Sequence, residues 1–137
     1  MRPLVHVLSS GAVVLAYAVR AGLPEAESAA WVVCAVAATL LLDLDHFILQ
    51  LLMEDRRRQA IEMLAHPLEY ADWRKVVDRM HYPGFGILRM KSHIIVTAAA
   101  TLLLGVLHNP YSAPILLSLW VHTAVDLIQT AVSPKSR

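Results

Sequence analysis

Carboxylate and imidazole side chains occur inside stretches of this chain that are otherwise strongly apolar. One apolar run contains Asp43-Leu44-Asp45-His46, and a later run contains His122 and Asp126. An ionisable residue in a membrane helix costs about 2.5–3.5 kcal/mol on insertion scales, so such residues usually mark function. Imidazole and carboxylate together are a ligand set for zinc, iron or manganese. A bound metal would neutralise the aspartates and remove the penalty of burying them.

The spacing of these residues favours metal binding over a packing role. His122 and Asp126 are four residues apart, which places them on one helix face, as in helical zinc motifs. Asp43 and His46 lie about 60° apart on a helix, whereas Asp45 points about 100° or more away from them. His6 and His93 open two further apolar stretches and are predicted to belong to the same centre. Taken alone, His6 is more typical of a packing or hydrogen-bonding histidine.

Four apolar stretches must position these side chains. The chain has 137 residues, of which 57% are hydrophobic and 17% are charged. A soluble chain of this length has too little interior to bury so many apolar residues, and each stretch approaches the roughly 20 residues that cross a bilayer. The prediction is an all-α integral membrane four-helix bundle, a single membrane domain over residues 1–137. Its spans are residues 4–21, 28–53, 93–109 and 112–132.

Residues 54–92 form a longer and more polar connection. Apolar residues such as Ile61, Leu64 and Val77 recur near helical spacing beside arginines. This predicts a cytoplasmic amphipathic helical loop on the membrane surface, with Tyr70 and Trp73 near the headgroups. A solvated helical linker fits the pattern equally well. Three further expectations are a second helical piece starting at Pro67, a turn at 82–86, and tight turns at 22–25 and 109–114.

The basic residues predict the orientation. All but one of the twelve lysines and arginines precede the first span, follow the last, or lie in residues 54–92, and Arg20 alone lies on the other side. By the positive-inside rule both termini and the long loop are cytoplasmic. A cleaved signal peptide is the rival interpretation of the first stretch, but its removal would upset this charge pattern. With this orientation, seven polar residues of the apolar stretches fall in the cytoplasmic half or at the midplane, which indicates one polar centre opening toward the cytoplasm. They are His6, Asp43, Asp45, His46, His93, His122 and Asp126.

In their order along the chain, these residues resemble the YdjM-type family of inner-membrane metal-dependent hydrolases, which is distantly similar to the zinc phospholipase C and single-strand nuclease group. That family has an early His, a Pro-Asp-x-Asp-His motif, a His-Arg-x-x-x-His-Ser motif and a final His-x-x-x-Asp. The matching positions are His6, Asp43 to His46, Arg89 with His93, and His122 with Asp126. Three positions depart from the pattern: Leu42, Leu88 and Ile94. His81 is a candidate for the ligand missing at position 88; if that ligand is lost, metal binding is expected to survive while hydrolysis is not.

The resemblance implies hydrolysis of a phosphoester in a lipid or lipid-linked substrate at a bacterial-type inner or plasma membrane. Asp43, His46, His122 and Asp126 would bind the metal, and His6, His93 and Asp45 would complete a second metal site or orient the first. Asp45 and Arg89 are the predicted catalytic residues, Arg89 by binding phosphate. Zinc is the expected ion, with manganese or iron as alternatives. No nucleic-acid partner is predicted.

A non-catalytic subunit that stabilises a larger membrane protein complex is the alternative function. Small residues such as Ala35, Ala37 and Ala38 suit close helix packing, and the polar cluster would then be a structural network or a vestigial metal site. A haem-binding bundle is disfavoured, because aspartates beside histidines suit a harder ion. Cys34 is the only cysteine, so an intrachain disulfide and a cysteine-rich metal site are both excluded.

Overall fold

The structure, a computed structural model, describes residues 3–66, 85–107 and 109–132, apart from the side chains of Pro3, His46 and Phe85. Over these residues the chain is helical and contains no strand, which confirms the all-α prediction. The helices are α1 (Pro3–Arg20), α2 (Glu25–Asp43), α3 (Asp45–Leu52), α4 (Glu54–Ala65), α5 (Phe85–Leu107) and α6 (Ser112–Val132).

Three helical regions are long and apolar enough to cross a membrane: Glu25–Leu52, Gly86–Leu107 and Ser112–Val132. The apolar helix Leu4–Arg20 is shorter. By length and composition, three of the four predicted spans are therefore supported. Crossing by α1, the four-helix bundle and the orientation of the termini stay predictions.

Helix α5 starts at Phe85, eight residues before the start predicted for the third apolar stretch. The predicted turn at 82–86 therefore does not include Phe85 and Gly86. Polarity at Arg89 and Lys91 suggested a loop, but Arg89 is buried in the fold and its carbonyl accepts a hydrogen bond from Ser92 Oγ. The second stretch is interrupted at Leu44, where the Leu44 amide bonds to Leu41 O, three residues back. Residues 67–84 lie outside the described residues, and with them the predictions for Pro67, Tyr70, Trp73 and His81.

The connection between α1 and α2 is a tight turn, as predicted. Gly22 has a φ of +69°, a left-handed conformation that glycine adopts without steric cost. The amide of Leu23 bonds to Ala18 O and that of Gly22 bonds to Val19 O, the pair of bonds that defines a Schellman motif. Leu23 also packs against an apolar cluster that includes Ala18. The turn therefore holds α1 and α2 side by side.

Helices α1, α2 and α6 pack against one another pairwise, and α5 packs on α6. Helix α3 packs on α4 and also contacts α5. The interior formed by α1 and α2 contains an apolar cluster, named here the apolar end, which is made of Val14, Ala18, Trp31 and Ala35. A second small apolar cluster joins α2 to α6 through Ala38, Leu42 and Leu119.

The outer faces of the helices remain strongly apolar. Val19, Leu102 and Val106 are among many large apolar side chains that are exposed, Val106 by 76%. Large exposed apolar surfaces of this kind mark contact with lipid or with other proteins. Helix α4 lies within the predicted amphipathic loop; it buries Ala60 and Met63 but leaves Ile61 and Leu64 exposed.

Candidate metal centre

Three histidines and an aspartate from different helices meet in the interior. His6 comes from α1, His93 from α5, and His122 and Asp126 from α6, and each is at most 2% exposed. Asp43 and Asp45, at the α2–α3 break, reach the same place with side chains that are 15% and 13% exposed. These residues and Arg89 are called the polar centre below.

Asp126 lies in the middle of the polar centre. Its Oδ2 is 3.2 Å from His93 Nε2 and 3.6 Å from His122 Nε2. Its Oδ1 is 3.3 Å from His6 Nε2 and 2.9 Å from Arg89 Nη2. One carboxylate thus has two different sides: a histidine pair at Oδ2, and a histidine with a guanidinium at Oδ1.

Several separations between nitrogen and oxygen atoms of the polar centre match those of atoms bound to one metal ion. His122 Nε2 is also 3.4 Å from Asp43 Oδ1. A tetrahedral ion with bonds of about 2.0–2.1 Å separates its ligand atoms by roughly 3.3–3.4 Å. The observed separations lie around that value, whereas a strong charge-assisted hydrogen bond is shorter, about 2.7–2.9 Å.

Two overlapping groups of side chains present ligand atoms that all lie within 4.8 Å of one another. One group is His6, His122 and Asp126, and the other is Asp43, His93 and His122. Both ring nitrogens of His6 and of His122, and both oxygens of Asp126, are buried without an aligned hydrogen bond in the described part of the chain. Buried polar atoms are normally hydrogen-bonded, and an ion between them would satisfy several of these atoms at once. The residues present therefore fit a divalent metal.

Asp45 and Ser92 orient His93. Asp45 Oδ2 lies 2.9 Å from His93 Nδ1, and Ser92 Oγ donates to the same oxygen at 2.6 Å. A carboxylate bonded to one imidazole nitrogen fixes the tautomer and leaves the other nitrogen as the metal ligand. Asp45 follows the break at Leu44 and contacts α5, whereas Asp43 contacts α6. Asp45 lies at Nδ1 of the His93 ring, and Asp126 lies at Nε2.

The three imidazole rings also contact one another. The His6 and His122 rings are stacked, with centroids 4.3 Å apart, and the His93 ring meets His122 edge-on at 5.1 Å. His122 is therefore held on two sides by other rings. This packing limits the movement of the residue that belongs to both candidate ligand groups.

A ring of buried hydroxyl groups, which sequence reasoning missed, lies one helical turn from the polar centre. On each of four helices a hydroxyl residue stands four positions from a residue of the centre, and all four are fully buried: Ser10, Thr39, Thr97 and Ser118. Ser10 Oγ donates to Ser118 O, and Ser118 Oγ donates to Ala35 O. The repeated four-residue offset from His6, Asp43, His93 and His122 was the available signal. These four residues are named the hydroxyl layer.

The structure brings together most of the predicted site residues. The polar centre contains all of them except His46, whose side chain lies outside the described part of the structure, as does His81. His66 directly follows α4 and is exposed.

Searches of protein-family models, of curated proteins and of solved structures gave no match to this chain.

Proposed function

We propose that this chain is an integral membrane protein that binds a divalent metal ion in the polar centre and uses it to hydrolyse a phosphoester in a lipid or lipid-linked substrate. The observation that carries the proposal is the convergence of buried imidazole nitrogens and carboxylate oxygens at separations of 3.2–3.6 Å. The ligands would be drawn from Asp43, His93, His122 and Asp126, with His6 beside them.

The charges of the polar centre support a divalent ion. Asp43, Asp45 and Asp126 carry three negative charges, and Arg89 supplies one positive charge. With neutral histidines, these three carboxylates outnumber the guanidinium within the polar centre. Carboxylates close together in a largely buried site repel one another, and a divalent cation among them would reduce that repulsion. Nitrogen and oxygen ligands with tetrahedral spacing favour zinc, with manganese or iron as alternatives.

The more exposed side of the polar centre, among the described residues, supports a substrate that approaches from one membrane surface. The partly exposed carboxylates of Asp43 and Asp45 mark this open end. On the other side the hydroxyl layer is followed by the apolar end, where Val14, Ala18 and Ala35 are fully buried. A headgroup phosphoester would reach such a site from the interface.

The residues of the polar centre have separate tasks in this proposal. The metal, when bound, would polarise the phosphoryl oxygen and activate a water molecule. Asp45 and Ser92 hold His93 as a ligand, and His6 stacks on His122. Arg89 keeps a positive charge beside Asp126, where an anionic phosphoryl group would be stabilised. The exposed apolar residues of α4, Ile61 and Leu64, suit contact with the interface.

The test is metal-dependent turnover by protein purified in detergent without chelator and reconstituted into nanodiscs. Substrates would be a fluorescent phosphatidic acid and a fluorescent polyprenyl diphosphate, after loading with zinc, manganese or iron. We expect phosphate release that is lost on chelation and in His122→Ala, but retained in His66→Ala, which removes an exposed imidazole. Bound metal without release from either substrate would contradict the hydrolase part of the proposal.

A second function is favoured by one observation. Arg89 already pairs with Asp126. Protonated His93 and His122 would offset the neighbouring carboxylates of Asp45 and Asp43 without metal. The polar centre would then be a structural network in a non-catalytic subunit of a membrane complex. Protein that folds, contains no metal and purifies with a fixed stoichiometric partner would favour this function.

A further inference from the structure

The two oxygens of Asp126 face different surroundings, and this difference bears on how many metal ions the polar centre holds. Oδ2 faces His93 and His122 at 3.2 and 3.6 Å, and His122 Nε2 is in turn 3.4 Å from Asp43 Oδ1. Oδ1 lies 2.9 Å from Arg89 Nη2. A carboxylate between two cations is typical of two-metal sites, where the ions lie about 3.5–4 Å apart.

We propose that the polar centre binds one metal ion, on the Oδ2 side of Asp126, and that the guanidinium of Arg89 is a permanent second cation on the Oδ1 side. The inference rests on the proposed metal site and specifies its stoichiometry. Arg89 itself binds no metal, and its positive charge is present whether or not the site is loaded with metal.

At Oδ1 a second ion would compete with the Arg89 guanidinium, whose Nη2 is 2.9 Å from that oxygen. An ion there would use the group His6, His122 and Asp126, and it would lie within a few ångströms of the Arg89 guanidinium. Arg89 is 5% exposed and Asp126 is fully buried, so water screens their surroundings poorly and like charges repel strongly. Arginine stays protonated in proteins, so this repulsion persists at all working pH values.

The shared ligand leads to the same stoichiometry. His122 belongs to both candidate ligand groups, and its Nε2 faces carboxylates of both, Asp43 and Asp126. A neutral imidazole nitrogen has one lone pair for one ion. A second divalent ion would also add two positive charges beside Arg89 in a buried site, where like charges repel strongly.

The consequence for the reaction is an asymmetric pair of cations around one carboxylate. A divalent ion on the Oδ2 side and a guanidinium on the Oδ1 side both favour an anionic group that enters from the open end. The guanidinium offers N–H donors in a fixed fork and so favours a phosphoryl group over a single-atom anion.

The test is the number and affinity of zinc ions bound, measured by elemental mass spectrometry and by competition with a chromophoric chelator. Wild type and Arg89→Lys should bind one equivalent. Arg89→Gln should bind zinc roughly tenfold more tightly or better, because a positive charge near the ion has been removed. Lys91→Gln is the matched control, since it removes a positive charge from an exposed position on the same helix, and its affinity should change by less than about twofold.

The outcomes separate this inference from the proposed function. Two equivalents in the wild type would overturn the single-ion inference and leave the metal site standing. No bound metal in folded wild type would overturn both. Weaker zinc binding in Arg89→Gln, with helix content and thermal stability unchanged, would show that Arg89 holds the ligands in place instead of acting as a competing cation, and would also overturn the inference.

Discussion

The two ends of the helical interior are lined by opposite kinds of side chain, ionisable at one end and apolar at the other. At the polar centre, buried ionisable groups approach one another at 2.9–3.6 Å, and several of their atoms form no aligned hydrogen bond. At the apolar end, Val14, Ala18, Trp31 and Ala35 fill the space between α1 and α2. The apolar end contains no ionisable side chain, whereas the polar centre concentrates several. The fold therefore separates an apolar packing region from a cluster of ionisable groups, with the hydroxyl layer between them.

The largest expected effect comes from removing the shared ligand. His122→Ala should lower zinc affinity more than about 100-fold, beyond the 10–100-fold typical of outer-shell partners, because His122 belongs to both ligand groups. Competition with a chromophoric chelator measures the change. His66→Ala is the control, and an equal loss there would show that the effect does not come from the polar centre.

A smaller effect is expected at Asp45. Asp45→Asn should weaken zinc binding about 10–100-fold, because the amide no longer fixes the tautomer of His93 that points Nε2 at the ion. The ¹⁵N chemical shifts of His93 should change at the same time. Glu27→Gln removes an exposed carboxylate from α2 and should leave both quantities unchanged. Normal affinity in Asp45→Asn would contradict the orienting role.

The apolar end should respond in stability and not in metal binding. Val14→Ala removes two methyl groups from a fully buried position and should cost about 1–2 kcal/mol of unfolding free energy through the cavity it leaves. Titration with a denaturing detergent measures this cost on the metal-free protein. A loss of zinc affinity as large as that of Asp45→Asn would show that the two ends are not separate.

The smallest effects distinguish two hydroxyls of the hydroxyl layer. Ser118 donates to Ala35 O, so Ser118→Ala should cost about 1 kcal/mol. Thr39 Oγ1 has no hydrogen-bond partner in the described residues, so the isosteric Thr39→Val should be nearly neutral or stabilising. The same detergent titration compares the two variants. A larger cost for Thr39→Val than for Ser118→Ala would mean that Thr39 binds a group such as an ordered water.

The sequence predicted the helices and the convergence of the polar centre for a physical reason. The shared face of His122 and Asp126 follows from helical periodicity, and the common depth of His6, Asp43 and His122 follows from the predicted spans and the distribution of basic residues. The contacts of Asp45 did not follow, since they are made with Ser92 and His93 on α5. The start of α5 at Phe85 was also missed, because the polarity of Arg89 suggested a loop until Asp126 was seen to pair with it.

The hydroxyl layer could not be predicted from residue types alone. Serine and threonine are common in membrane helices, so Ser10 or Thr97 alone carries little information. What distinguishes these four residues from other serines and threonines is that each stands four positions from a residue of the polar centre. That offset predicts a layer only if the four helices are known to meet.

X-ray absorption at the zinc edge of the loaded protein tests the central claim most directly. We expect nitrogen and oxygen ligands at about 2.0–2.1 Å in four-coordination, with imidazole scattering that disappears in an Asp43→Ala/His122→Ala double variant. A spectrum of a hydrated ion that is the same in both proteins, or no zinc retained after gel filtration of folded protein, would contradict the claim that the polar centre is a metal site.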